Sequence, residues 1–292
     1  MQEAQPSRTA LRVAVRRAAH QMLDTPVVLD DPIAQRILGP ARIDQLKLTL
    51  RTHRTRSGRT LRAFLIARSR VAEEAVARAV AGGTTQYVVL GAGLDTFAYR
   101  NPFPPEQLRV FEVDMPATQA FKRDLLSRTR IDVPASVTFV PVDFERQGLA
   151  EQLRAAGLRE DQPVFFSWLG VSMYLTRDAI MATLGYVGRF PPGSGITFDY
   201  MLPPHRLPWF RRIGFWLVAR RVAKLGEPWK TWFEPAELAS ALHALGLDAL
   251  EELDGPGLNQ RYFGGREKRL GGASVGRVMT ALVSADVARP TR

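Results

Sequence analysis

The sequence predicts an α/β protein in which a group of helices precedes a doubly wound, mainly parallel sheet. Three observations support this fold class. Short β-branched apolar runs recur after residue 85 and alternate with helical stretches, whereas earlier apolar residues recur at helical spacing. Apolar residues make up 46% of the 292 residues, which is enough for a large core. Continuous apolar strands that alternate with helices are typical of a parallel sheet covered on both faces.

The N-terminal segment is predicted to form a helical cap. Its candidate helices are Thr9–Met22, Ala34–Leu50 and Leu61–Ala81. A turn around Asp30-Asp31-Pro32 separates the first two helices. Gly82-Gly83 follows the third, and glycine directly after a helical run is typical of a helix end. We therefore place the end of the cap at residue 83.

The sheet domain is predicted over residues 84–292. Its candidate strands are Gln86–Leu90, Leu108–Asp114, Ser136–Val142, Val164–Leu169, Ile196–Tyr200, Asp248–Leu253 and Arg277–Ser284. The intervening helices are predicted over Met115–Arg130, Leu149–Ala156, Asp178–Arg189 and Glu234–Leu245. This alternation indicates strands joined by helical crossovers, with the helices on both faces of the sheet.

Residues 201–233 fit neither the strand nor the helix pattern. This segment contains four of the five tryptophans of the chain. An aromatic insertion after the fifth strand predicts either a lid over a pocket or additional core for the cap. In the first case its aromatic side chains would line a pocket for a bulky apolar ligand: Trp209, Phe210, Phe215 and Trp216.

Composition excludes several classes of site. The chain has no cysteine, which excludes disulfide scaffolds, cysteine nucleophiles and thiolate metal centres. Its four histidines are widely spaced, so we expect no metal site. No apolar run approaches the roughly 20 residues that span a bilayer, and no apolar leader is apparent. We expect a cytoplasmic protein without a membrane partner.

Positive charge is concentrated in one stretch. The chain carries 40 Lys and Arg against 29 Asp and Glu, a formal net charge of +11. Residues 45–72 contain eight of the basic residues and no acidic one. Phe64 is the only aromatic residue there, which disfavours nucleic-acid binding. A solvated helix junction is the favoured interpretation, with a gate for an anionic ligand and RNA binding as alternatives.

A glycine turn and two carboxylates follow the first three strands. Gly91-Ala92-Gly93 comes directly after the first strand, but Thr96 stands where a dinucleotide site has its third glycine. Asp114, with Glu112 as the alternative, ends the second strand about 20 residues later. A carboxylate there can accept ribose hydroxyls or cap the helix after Met115. Asp143 ends the third strand and either binds the exocyclic amine of adenine or caps a helix. Together these residues predict a nucleoside pocket without a pyrophosphate site.

Four strings resemble the leucine carboxyl methyltransferase family, and more closely its bacterial branch of class I S-adenosylmethionine-dependent methyltransferases. They are YVVLGAGLDTFAYR (Tyr87–Arg100), VFEVDMPA (Val110–Ala117), FVPVDF (Phe139–Phe144) and FSWLGVSMYLT (Phe166–Thr176). The resemblance implies a Rossmann-like sheet of seven strands with the last strand antiparallel. It also implies S-adenosylmethionine as cofactor, bound by Gly91, Gly93, Asp95, Asp114, Met115, Asp143 and Phe144.

The same resemblance implies basic contacts to the methionine carboxylate of the cofactor. Arg68 matches the cap arginine of the family, and a bidentate guanidinium–carboxylate pair is the physical reason for arginine there. A second contact maps onto Arg17, with Arg16 as the alternative. Many members have an acid after strand four, where this chain has Leu169. The cofactor contact there is expected to be lost or made by the backbone.

From these expectations we predict that the chain is an O-methyltransferase that acts on a small molecule. A carboxylate acceptor is ionised at neutral pH and needs no base, whereas a hydroxyl acceptor would gain from one. His205 is the candidate base, with an exposed loop residue as the alternative. Tyr174 and Tyr200 are candidates to orient the acceptor. A protein or RNA methyltransferase and a noncatalytic nucleoside-binding protein remain alternative functions, and the oligomeric state is not predicted.

Overall fold

The computed structural model describes residues 7–143, 148–223, 228–264 and 275–285. The helices in these ranges are α1 (Arg8–Leu23), α2 (Ile33–Arg36), α3 (Pro40–Leu48), α4 (Leu50–His53), α5 (Arg56–Ala81), α6 (Pro116–Arg128), α7 (Leu149–Ala155), α8 (Arg177–Val187), α9 (Trp209–Ala223), α10 (Pro235–Ala244) and α11 (Gly255–Phe263). The strands are β1 (Gln86–Leu90), β2 (Arg109–Asp114), β3 (Val137–Pro141), β4 (Val164–Trp168), β5 (Gly195–Met201), β6 (Leu247–Leu253) and β7 (Gly276–Val283).

The seven strands form one sheet in the order β3-β2-β1-β4-β5-β7-β6. β1 to β5 run parallel to one another, and β7 lies antiparallel between β5 and β6. This confirms the predicted doubly wound sheet with an antiparallel last strand. The order reverses between β1 and β4, so the carboxyl ends of these strands face a crevice that is open to a ligand.

Apolar residues cover both faces of the sheet. Consecutive side chains of β1 point to opposite faces, so Val88 packs in one core with Phe111 and Phe166, while Val89 packs in another with Val76 of α5. All five residues of β1 are buried. The continuous apolar run at residues 86–90 is therefore explained by burial on both sides.

The N-terminal helices differ from prediction at two places. Ala34–Leu50 was expected to be one helix, but α2, α3 and α4 occupy this region. Gly39, with φ of +75°, precedes Pro40 at the start of α3, and this pair interrupts the helical hydrogen bonds. α5 begins at Arg56 rather than at residue 61, because the Thr55 side chain caps it by accepting from the Gly58 amide.

The basic stretch at residues 45–72 is partly neutralised in the fold. The buried Arg62 guanidinium donates to both carboxylate oxygens of Asp24, at 2.7 and 2.8 Å. Arg70 pairs with Glu74, and Arg68 pairs with an acid of β5 described below. With Lys47, which pairs with Asp44 at 2.9 Å, four of the eight basic side chains therefore have acidic partners from outside the stretch.

The aromatic insertion contains a helix that the sequence pattern did not predict. α9 follows β5, and residues 228–234 form neither a helix nor a strand. The Lys230 amide donates to the Met173 carbonyl at 2.7 Å, and the Phe233 amide donates to the Met201 carbonyl at 2.9 Å. Helix α11 was also missed; the Asp254 side chain caps it by accepting from the Gly257 amide.

Candidate functional site

A cavity of about 390 Å³ lies at the carboxyl ends of β1, β2 and β4. Its volume is in the range of small-molecule and cofactor sites. Residues of α1 and α5 line it on one side, so the N-terminal helices and the sheet both contribute to its wall. Ten of the predicted site residues line it: Arg17, Arg68, Gly91, Gly93, Asp95, Asp114, Met115, Asp143, Leu169 and Tyr174.

Glycine is required in the turn after β1. Gly91 has a φ of +65°, and a Cβ atom there would collide with the side chain of Val171. Gly93 has a φ of +48°, and its Cβ would lie 3.1 Å from that of Ala10 in α1. The turn is therefore packed between α1 and the segment after β4, and its backbone borders the cavity without side chains in the way.

Asp114 ties the end of β2 to this glycine turn. One oxygen of its carboxylate accepts the Gly93 amide, and the other accepts the Met115 amide at 2.7 Å. These bonds fix the carboxylate at the cavity wall. A carboxylate at this edge is placed to accept hydrogen bonds from a ribose. The N-cap residue of α6 is Met115, so Asp114 precedes the cap position that the alternative interpretation gave it.

Arg68 of α5 is buried at the wall of the cavity and is held by one acid. Its Nη1 donates to Asp199 Oδ2 at 2.5 Å, and Asp199 Oδ1 accepts the Gly170 amide at 2.5 Å. The Arg68 Nε atom is buried and has no hydrogen-bond partner among the described residues. A buried donor without a partner costs free energy, so this atom indicates a ligand that accepts a hydrogen bond.

Sequence reasoning missed Asp199. It lies in β5, in the middle of an apolar run, and its side chain is 1% exposed. A charged residue inside an otherwise apolar strand is rarely fully buried unless it has a partner, and that was the available indication. Leu169, where many family members have an acid, lines the same part of the cavity with an apolar side chain.

Arg17 is buried and contacts two acidic side chains and a threonine. Its Nε and Nη2 contact Asp31 at 3.1 and 3.0 Å, its Nη1 donates to Asp95, and its Nη2 donates to Thr96. Thr96 Oγ1 in turn donates to Asp31 at 2.6 Å. The threonine in place of a third glycine therefore links the turn after β1 to the cap. Arg16, the alternative to Arg17, does not line the cavity and donates to the Arg12 carbonyl.

This network sets the charge state of the acids around it. Burial on its own would raise the pKa of Asp95, but Arg17, Lys122 and Arg100 more than offset this and lower the pKa to about 2. Burial raises the pKa of Glu73, although Arg100 pairs with it. The pKa of Arg17 is raised because Asp95 and Asp31 outweigh its desolvation. Arg17 therefore stays charged and is paired with protein carboxylates.

A second part of the cavity wall comes from the segments after β4 and after residue 227. Tyr174 and Leu175 lie there with Pro228 and Lys230. Lys230 was missed from the sequence, because nothing in the aromatic insertion marks one lysine as a wall residue. The buried Phe215 of α9 packs in the same apolar cluster as Tyr174, but it does not line the cavity itself.

The structure places two of the predicted catalytic residues elsewhere. Tyr200 is buried and donates to Glu252 Oε1 at 2.6 Å, and burial together with this carboxylate raises its pKa. His205 is exposed, with its Nε2 atom 3.0 Å from Glu234 Oε1. Neither residue lines the cavity. The hydroxyl of Tyr200 and the ring of His205 have protein partners outside it.

The remaining aromatic predictions are not brought to the cavity either. Trp209 is 74% exposed and Trp216 is 51% exposed, and neither is a wall residue. Phe144 lies outside the described residues, as does the side chain of Phe210. Among the described residues, no helix combines the length and apolar character that a membrane span needs, and no group of acidic and histidine side chains is arranged to hold a metal ion.

The sequence of this chain is similar to a known protein family. The model of the family described as leucine carboxyl methyltransferase matches residues 10–188. A Bacillus subtilis (strain 168) protein named "Putative S-adenosyl-L-methionine-dependent methyltransferase YktD" is 30% identical over 291 residues, covering 92% of this chain and 95% of the relative. The matched ranges include the glycine turn and the three carboxyl ends that border the cavity.

Two solved structures share the fold. A DUF574 family protein from Streptomyces avermitilis MA-4680 has a TM-score of 0.54 and 16% identity, covering 93% of this chain and 96% of that protein. A Thermobifida fusca YX protein has a TM-score of 0.56 and 17% identity, and 96% of each chain is covered. At these identities the likeness concerns the fold alone.

Proposed function

The chain belongs to the leucine carboxyl methyltransferase family of S-adenosylmethionine-dependent methyltransferases, and from this premise we propose that it methylates an oxygen of a small-molecule acceptor. The cavity is lined by α1 and α5 on one side and has a volume of about 390 Å³. A concave site of this size favours a small acceptor over a folded protein or RNA.

One observation carries the assignment of cofactor contacts: Arg68, whose buried Nε has no partner among the described residues, lines the same cavity as Asp114. The guanidinium would bind the methionine carboxylate of the cofactor, and Asp114 would accept its ribose hydroxyls. Asp143 lines the adjacent wall, where it would accept the adenine amine. The residues therefore fit the three polar groups of S-adenosylmethionine.

Arg17 is assigned a supporting role. Its guanidinium donates to Asp31, Asp95 and Thr96, so it holds the turn after β1 against the cap. Since Arg68 has a donor to spare, it is the better candidate for the carboxylate. Leu169 and Met115 would contribute apolar contacts, and Gly91 and Gly93 would let the cofactor lie against the backbone.

The bound cofactor supplies a methyl group that its sulfonium already activates, so the protein mainly positions the acceptor in line with it. Tyr174 and Lys230 belong to the wall that would face the acceptor, together with Leu175 and Pro228. Among the described residues of this wall, Lys230 is a cation, and none is a carboxylate or a histidine. The wall therefore favours an acceptor carboxylate, which is ionised at neutral pH and needs no base. A hydroxyl acceptor oriented by Tyr174 is the second candidate.

Calorimetry tests the cofactor assignment. S-adenosylhomocysteine carries the carboxylate, whereas methylthioadenosine lacks it. We expect wild type to bind S-adenosylhomocysteine more tightly, and Arg68→Met to lose that preference while still binding methylthioadenosine. If the variant keeps the preference, Arg68 does not bind the carboxylate. If wild type binds neither compound, the proposal fails.

A label test separates the two kinds of acceptor. The enzyme would be incubated with S-adenosylmethionine labelled in its methyl group and with matched carboxylic acids and phenols. Alkali releases methanol from methyl esters but leaves aryl methyl ethers intact. We expect labelled product that releases volatile label in alkali. Label that stays in the product would instead identify a hydroxyl acceptor.

A further inference from the structure

Helix α9 carries an exposed apolar face. Of the ten large apolar side chains that are exposed in the described ranges, five belong to this helix: Trp209, Ile213, Trp216, Leu217 and Val218. The first four of these fall at positions i, i+4, i+7 and i+8, and therefore lie on one side of the helix. We call these four residues the α9 face. Single exposed apolar residues are common on protein surfaces, but a patch of four with two tryptophans is typical of an interaction site.

The opposite side of α9 is attached to the protein. Phe215 is 8% exposed, and its ring centroid lies 5.2 Å from that of Trp229. It belongs to an apolar cluster with Met173 and Met201. The helix is thus apolar on two sides, of which the protein covers one. A group of large apolar side chains that the protein leaves exposed on one side of a helix is typical of an interaction surface, so we expect the α9 face to have an external partner.

The charged residues near α9 indicate which kind of partner would bind the α9 face. From residue 201 to residue 226 the chain has no Asp or Glu. The same stretch of sequence contains six cations: Arg206, Arg211, Arg212, Arg220, Arg221 and Lys224. Arg206 is paired with Glu234 at 2.6 Å, and the side chains of Arg211, Arg221 and Lys224 lie outside what the structure describes. Arg220 is exposed and, at position i+11 from Trp209, lies on the same side as the α9 face. The partner is therefore expected to be apolar and negatively charged.

A second copy of the chain does not meet this requirement. A two-fold dimer would pair the α9 face with itself and bring two acid-free, cationic stretches together. The like charges would oppose association. An anionic lipid surface offers acyl chains for the apolar residues and phosphates for the arginines. Tryptophan is also enriched at the boundary between headgroups and acyl chains.

We propose that the α9 face docks this protein on anionic membrane surfaces, with the helix lying in the plane of the interface. A helix in this position does not need to span the bilayer, so the lack of apolar runs of spanning length is compatible with it. Tyr174, which lines the cavity, packs in the cluster that anchors α9. Docking would therefore bring the cavity close to the lipid surface. The inference does not depend on the identity of the acceptor.

Vesicle co-sedimentation tests the proposal with a matched pair of variants. Leu217 in the α9 face is 60% exposed, and Leu250 in β6 is 58% exposed. The full-length protein would be mixed with vesicles of phosphatidylcholine alone or containing one third phosphatidylglycerol. We expect binding to the anionic vesicles that weakens with salt and falls about tenfold in Leu217→Glu, but not in Leu250→Glu. The fluorescence of the wild type should shift to the blue on binding.

Three results would overturn the docking surface. They are a wild type that does not bind anionic vesicles, equal binding to both vesicle types, and equal binding by Leu217→Glu and wild type. Sedimentation velocity tests whether a second copy of the chain binds the α9 face instead. If the wild type is a dimer and Leu217→Glu is a monomer, the α9 face is a contact between copies. Calorimetry with S-adenosylhomocysteine should give the same affinity for all three proteins. This separates failure of the docking surface from failure of the methyltransferase assignment.

Discussion

Asp199 Oδ2 accepts a hydrogen bond from Arg68 Nη1 at 2.5 Å, although 131 residues separate the two in the chain. Their side chains are 1% and 8% exposed. The other carboxylate oxygen accepts the Gly170 amide, so Asp199 also fixes the start of the segment after β4. The pair leaves Arg68 Nε unpartnered among the described residues. Asp199 therefore sets the orientation in which Arg68 is presented to the cavity.

Asp199→Asn should destabilise the protein. The amide keeps the size of the side chain but leaves the buried Arg68 cation without a counter-charge, which costs about 3 kcal/mol. Urea denaturation would measure the change in the free energy of unfolding. Asp124→Asn is the matched control, because it removes an exposed pair with Arg128 and should change that free energy by about 0.5 kcal/mol or less. Equal effects of the two substitutions would contradict a buried, coupled pair.

A double-mutant cycle isolates the coupling between the two residues. We expect Arg68→Met with Asp199→Asn to be less destabilising than the sum of the single substitutions, by about 1 kcal/mol or more. The reason is that the second substitution removes the charge that the first left unpaired. The measurement is again urea denaturation of the four proteins. Additive free energies would mean that the contact contributes nothing specific.

Gly170→Ala should perturb both the fold and the proposed cofactor site. Gly170 has a φ of +74°, and a Cβ atom would lie 2.8 Å from Arg68 Nη2. We expect a loss of about 1–3 kcal/mol in the free energy of unfolding and weaker binding of S-adenosylhomocysteine. Gly214→Ala in α9 is the control, since its Cβ would meet nothing within 4 Å. The control should be neutral or slightly stabilising.

Asp114→Asn should weaken cofactor binding in a manner that differs from Arg68→Met. Both S-adenosylhomocysteine and methylthioadenosine contain a ribose, so we expect both affinities to fall, by about tenfold or more. The amide oxygen can still accept a backbone amide, which limits the effect on folding. Calorimetry with the two compounds gives the comparison. If only the carboxylate-containing compound were affected, the ribose assignment would be wrong.

Asp95 should contribute a pH-dependent part of the stability. Arg17, Lys122 and Arg100 lower its pKa in the folded state to about 2, below the ordinary value of an aspartate. The stabilisation by ionised Asp95 is fully present above the pKa that Asp95 has in the unfolded chain. It is lost as pH falls through the pKa that Asp95 has in the folded protein. We expect a loss of about 2 kcal/mol between pH 5 and pH 2 that is missing in Asp95→Asn. Denaturant titrations at several pH values would measure it, and parallel curves for the two proteins would contradict it.

The fold and part of the site could be predicted because they depend on local patterns. Apolar runs at residues 86–90 and 164–168 are buried on both faces, which gives continuous rather than alternating patterns. Carboxyl ends of neighbouring parallel strands meet at one edge, so Gly91, Asp114 and Asp143 were expected to lie together, and they line one cavity. The Gly39-Pro40 pair is also a local signal, and it breaks the single helix predicted over Ala34–Leu50.

Other contacts could not be predicted, because their partners are distant in the chain. Thr96 pairs with Asp31 across 65 residues, and no spacing rule connects them. Helix α9 was missed because it is apolar on two sides, so its pattern lacks the one-sided periodicity of an ordinary surface helix. Lys230 reaches the cavity only because its backbone amide bonds to the Met173 carbonyl.

The sequence by itself determined the order of strands and helices, the glycine turn and the carboxylates at the edge of the sheet. Only the tertiary structure decided which arginine has a free donor. Arg17 and Arg68 are both buried cations at the cavity, but Arg17 meets Asp31 and Asp95, whereas Arg68 meets Asp199 alone. A buried charge must be paired because desolvation is costly, and the number of carboxylates that folding brings to each guanidinium fixes what remains for a ligand.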